Sequence, residues 1–121
     1  MKTLVAYVPV LHEGYRRFFE KYEGPKELYL VGSPFVDEDK ALAKDIRRLD
    51  PRLMQKAIEA LGIFERVSIL NDESLRALQG AELVMPREDI CEELAKKYFT
   101  RAKITFDSGL RSGPRRKQGT Y

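Results

Sequence analysis

The chain of 121 residues is long enough for one compact domain with its own core and too short for two. Hydrophobic residues make up 43% and charged residues 34%, a balance that excludes both a disordered chain and a membrane-embedded one. The formal net charge is +3, and residues 107–121, with Arg111, Arg115, Arg116 and Lys117 against Asp107, hold that whole excess.

Thr3 to Val10 is continuously apolar rather than alternating, which predicts a strand buried on both faces. Glu13 to Tyr22 follows as a helix with Phe18, Phe19 and Tyr22 on one side, stopped by Gly24 and Pro25. Glu27 to Gly32 is a second strand. The charged stretch Asp37 to Arg48 holds a short helix with Leu42, Ile46 and Leu49 inward. Asp50 as N-cap and Pro51 in the first turn open the clearest helix, striped by Leu53, Met54, Ala57, Ile58 and Leu61, and Gly62 supplies the left-handed stop. Arg66 to Leu70 is the third strand, Asp72 to Leu78 a short helix and Glu82 to Met85 the fourth strand. Pro86 then opens a helix through Tyr98, with Ile90, Leu94, Ala95 and Tyr98 inward, and Ala102 to Phe106 is the fifth strand. Strands joined by helical crossovers predict an α/β, three-layer, doubly wound sandwich with a five-stranded, mainly parallel sheet. Residues 1–106 make the single domain and residues 107–121 a basic C-terminal tail.

One cysteine, Cys91, excludes an internal disulfide and a multi-cysteine zinc site, and no metal ligand set is predicted. The longest uncharged stretch near the start, Thr3 to Leu11, is far short of the roughly 20 residues of a membrane span, and no signal-peptide pattern opens the chain. The expected setting is the cytoplasm, without membrane contact. Sparing use of Asn and Gln beside 34% charge resembles a thermophile's composition.

In doubly wound sheets, ligands lie beyond the carboxyl ends of the strands where strand order reverses. That rule selects residues 11–15, 32–36, 71–74 and 86–89. In the first turn His12, the sole histidine, ends the strand. Gly14 lets an anion approach the helical amides, where an imidazolium could stabilise charge during phosphate transfer. Lys44, Arg47 and Arg48, with Asp45 to orient Arg48 or Lys44, offer a cationic clamp, and Arg111 in the tail a further cation. Glu88 and Asp89 suit ribose hydroxyls, a metal only poorly because no spaced third ligand accompanies them, or, more plainly, the dipole of the helix they open. Cys91 reads as a buried thiol.

His12-Glu13-Gly14-Tyr15 resembles the His-x-Gly-His turn of the nucleotidyltransferases that share an α/β nucleotide-binding fold with class I aminoacyl-tRNA synthetases. Tyr15 stands where the second histidine would be. The resemblance implies catalysis by His12, nucleotide or phosphate contacts from Gly14 and Tyr15, and Mg2+ brought by the nucleotide. The segments Tyr7 to Tyr15, Lys44 to Pro51 and Val84 to Asp89 also resemble a small prokaryotic domain of deoxycytidylate deaminase-related proteins. One cysteine cannot supply that family's zinc chemistry. The expectation is a nucleotide- or phosphate-ligand-binding, nucleotidyltransferase-like domain. The alternative is a non-catalytic binding or regulatory module that meets a partner protein, RNA through the basic tail, or a second copy of itself as a homodimer.

Overall fold

In the computed structural model, residues 1–9, 11–32, 35–36 and 50–107 are described. Within them the elements are β1 (Lys2–Ala6), α1 (Glu13–Glu20), β2 (Lys26–Leu30), α2 (Pro51–Glu59), β3 (Arg66–Ile69), α3 (Asp72–Ala77), β4 (Glu82–Pro86), α4 (Asp89–Tyr98) and β5 (Lys103–Asp107). All five strands are parallel, in the order β3-β2-β1-β4-β5. The predicted α/β sandwich is therefore the fold. The short helix predicted within 37–48, the residues Lys44, Asp45, Arg47, Arg48 and Arg111, and the tail beyond Asp107 lie outside the described residues.

β1 is central, and its side chains alternate between two cores. Leu4 and Ala6 join Leu28, Leu30 and Val84 beneath Phe18 and Phe19 of α1 and Met54 and Ile58 of α2. Val5 and Tyr7 join Leu83 and Met85 against Cys91 and Leu94 of α4, with Leu78 and Phe99. Connections run from β1 outward to β3 and then return past β1 to β4. Since parallel crossovers are right-handed, reversing the direction of travel moves the helices to the opposite face. That reversal makes the three layers.

Local chemistry sets most boundaries. The Asp50 carboxylate accepts from the Arg52 amide at 2.8 Å, with Pro51 in the first turn of α2. Gly62, just past that helix, has φ 70°, a conformation that only glycine adopts without strain. Asn71 and Ser74 form a reciprocal capping box on α3. Three expectations are corrected. β1 ends at Ala6, because the ladder's last rung is Val31 donating to Ala6 and the chain then bends at Pro9. Pro86 closes β4 rather than opening a helix: it lies opposite Asp107, and the Arg87 amide donates to the Asp107 carbonyl at 2.9 Å. Leu53 is 57% exposed, since the line of Met54 and Ile58 faces the sheet and Leu53 falls to one side.

This packing predicts unequal responses on one face. Phe19 is fully buried, so Phe19→Ala should lose about 3–5 kcal/mol in guanidinium unfolding. Leu53→Ala should stay within about 0.5 kcal/mol of the parent, as exposed sites do.

Candidate functional site

The sheet's order reverses between β1 and β4, so the turns beyond their carboxyl ends part to open a cleft. A cavity of about 790 Å³ lies there, walled by Tyr7, Pro9, Tyr15, Phe35, Glu88 and the α4 face from Asp89 to Lys97. Its size matches that of small-molecule sites.

Its floor is a hydrogen-bonded junction between the two turns. The buried Tyr15 hydroxyl shares its single proton between the Tyr7 carbonyl, at 3.1 Å, and the Glu88 carboxylate, at 3.2 and 3.4 Å. The Cys91 thiol donates to the same carboxylate at 3.9 Å. Glu88 occupies the N-cap position of α4 but makes no side-chain capping bond, because its carboxylate turns toward Tyr15 and Cys91 instead. Asp89 and Glu92 take the dipole-complementing role that the sequence assigned to the acid pair.

Burial and the Glu88 charge act together on both neighbours. Burial, reinforced by the adjacent carboxylate, pushes the Tyr15 phenol far above the usual tyrosine range. Cys91 is fully buried, and burial followed by the Glu88 charge raises its thiol from 9.0 to about 12. The thiol is thus inert near neutrality, as its sequence context implied.

His12 has a structural task. It is the N-cap of α1, and its Nδ1 accepts from the Gly14 amide at 3.0 Å while its ring lies 4.5 Å from that of Tyr15. That geometry assigns the ring proton of a neutral imidazole to Nε2, which stays available at the protein surface. Gly14's amide is engaged by this cap, and the Tyr15 and Arg16 amides return to the His12 carbonyl. Of the predicted site residues, Tyr15 lines the cavity, and His12 and Gly14 lie beside it in the same turn without lining it. Lys44, Asp45, Arg47, Arg48 and Arg111 fall outside the described residues. Sequence reasoning did not foresee the Tyr15–Glu88 bond or the aromatic walls Tyr7 and Phe35. The available signal was the switch-point rule, which had selected both turns.

The charged groups on the described walls are Glu88, Asp89 and Glu93, with Lys97. Such a lining accepts hydrogen bonds, so it fits hydroxyl, amide and amine donors against aromatic faces better than bare phosphate. Among the described residues no three ligating side chains could hold a metal ion, and no helix is long and apolar enough to cross a membrane. No protein-family model, curated protein or solved structure matches the chain.

Both raised groups are neutral acids when folded, which fixes the sign of the pH dependence. They contribute stability fully below their unfolded values, and that contribution is lost as pH climbs toward the folded values. Unfolding free energy should hold steady from pH 7.5 to 8.5 and fall above pH 9, with a shallower fall in Cys91→Ala. Equilibrium denaturation at stepped pH measures both slopes.

Proposed function

We propose that this chain is a nucleotide-binding α/β domain whose ligand enters the cleft between the carboxyl ends of β1 and β4. The observation that carries the reading is the cleft's position and lining: an aromatic-walled cavity at the strand-order reversal, with Glu88 held from below by Tyr15. In this reading Tyr7 and Phe35 meet the base, and Glu88 and Asp89 accept from hydroxyl or amine donors. The phosphates extend toward the His12 Nε2 and Gly14 end. Lys44, Arg47 and Arg48, together with Arg111, would supply the remaining countercharge, and Mg2+ would arrive with the nucleotide.

Binding without group transfer is favoured by what the two central side chains already do. The Nδ1 of His12 is committed to the Gly14 amide, and the Tyr15 proton to Glu88 and the Tyr7 carbonyl. A phenol in the place of the second histidine cannot supply a cation at neutral pH. The arrangement fits a ligand-sensing module related to the nucleotidyltransferase-like group better than it fits a transferase.

Thermal denaturation with ATP, CTP and dCMP tests the reading. A ligand present at about 100 times its dissociation constant raises the unfolding free energy by about 2.7 kcal/mol. The expected result is a shift with at least one nucleotide that shrinks in Glu88→Gln, and melting curves unmoved by all three would overturn the proposal.

A further inference from the structure

Given nucleotide binding in the switch-point cleft, the reading on which this inference rests, the cleft's floor narrows the choice of base. The Tyr15 hydroxyl donates to the Tyr7 carbonyl at 3.1 Å and to the Glu88 carboxylate at 3.2 Å, so Glu88 stands directly beside the Tyr7 wall. A base laid against Tyr7 therefore brings one edge to that carboxylate. The Tyr15 hydroxyl and the Cys91 thiol both approach Glu88 as donors. Together they fix its direction, and no side-chain capping bond draws it back to its own helix.

An ionised carboxylate only accepts hydrogen bonds, and its two oxygens take about four donors together. Bases divide on this point. Cytosine, adenine and guanine carry an exocyclic amino group, a donor. Uracil and hypoxanthine put an oxo oxygen where cytosine and adenine have that group. An oxo oxygen facing a carboxylate leaves two acceptors without a donor between them, which is costly in a half-buried site. The ring N–H of an oxo base adjoins the oxo group, so turning that N–H to the carboxylate keeps the oxygen close. Among the charged residues of the described walls, Lys97 is the one able to donate to such an oxygen. It lies nine residues beyond Glu88, about 13 Å along α4 by the helical rise, too far to serve the same base edge. Asp89 and Glu93, between the two, are acceptors again.

We propose that the cleft selects nucleotides whose base bears an exocyclic amino group, read by the Glu88 carboxylate. Tyr15 and Cys91 are positioning residues that hold Glu88 for that contact.

Calorimetric titration of the full chain with matched nucleotides tests the proposal: CTP against UTP, and ATP and GTP each against ITP. At least one amino nucleotide should bind about tenfold or more tightly than its oxo counterpart, as a hydrogen bond to a charged group implies. In Glu88→Gln the same contrast should fall to within about threefold, since a carboxamide offers a donor as well as an acceptor. Glutamine keeps the shape of glutamate and no capping bond is lost, and a melting curve near the parent's checks that the variant is folded. Where the variant fails to fold or to bind, the parent ratios decide alone. Binding with every ratio below tenfold overturns the proposal and leaves the nucleotide reading standing, which is also the result if Glu88 serves the ribose. A parent contrast that survives in Glu88→Gln overturns it too, because another group then reads the base. Absence of binding by all of these nucleotides overturns the nucleotide reading itself, and the proposal falls with it.

Discussion

A parallel strand that is apolar on both faces must be covered on both faces, and β1 imposes that constraint on the whole chain. Leu4 and Ala6 require one helical layer, Val5 and Tyr7 the other. Right-handed crossovers supply both layers only if the chain reverses its direction of travel across the sheet, as it does between β3 and β4. The reversal leaves the turns after β1 and β4 diverging side by side. The cleft is thus a consequence of burying β1, not a separate feature of the surface.

What closes the cleft's floor is a hydrogen bond between those two turns. Tyr15 lies in the first turn of α1 and Glu88 at the N-cap of α4, 73 positions apart in sequence. Glu88 leaves its helix uncapped by its own side chain and accepts from the phenol and the thiol of Cys91. Deep burial makes such bonds strong and their rupture expensive, so the junction holds the two turns in register. His12 works beside it through its cap on Gly14, which fixes where α1 begins. A residue expected to act on a ligand first positions the helix that carries Tyr15.

The fold was legible because its signals are local. Continuous apolar runs marked the strands, and Asp50, Pro51, Gly62, Asn71 and Ser74 marked helix ends by capping chemistry that survives in the structure. Pro86 misled because a proline suits the end of a strand as well as the first turn of a helix. Leu53 misled because an apolar stripe read off a helix is wider than the line that touches the sheet. The switch-point rule located the two turns of the site. It could not show that Glu88 would turn from its helix toward Tyr15, since that choice depends on a contact only the folded sheet creates.

Amide-resolved NMR during titration with ATP measures the central claim most directly. Ligand in the switch-point cleft should shift resonances of Tyr7, Tyr15, Glu88, Asp89 and Leu94 together, and leave Lys26, at the start of β2, and Gly62 and Gly80, at turns elsewhere in the fold, in place. Perturbations centred on those remote residues, or none at saturating ligand, would contradict the account.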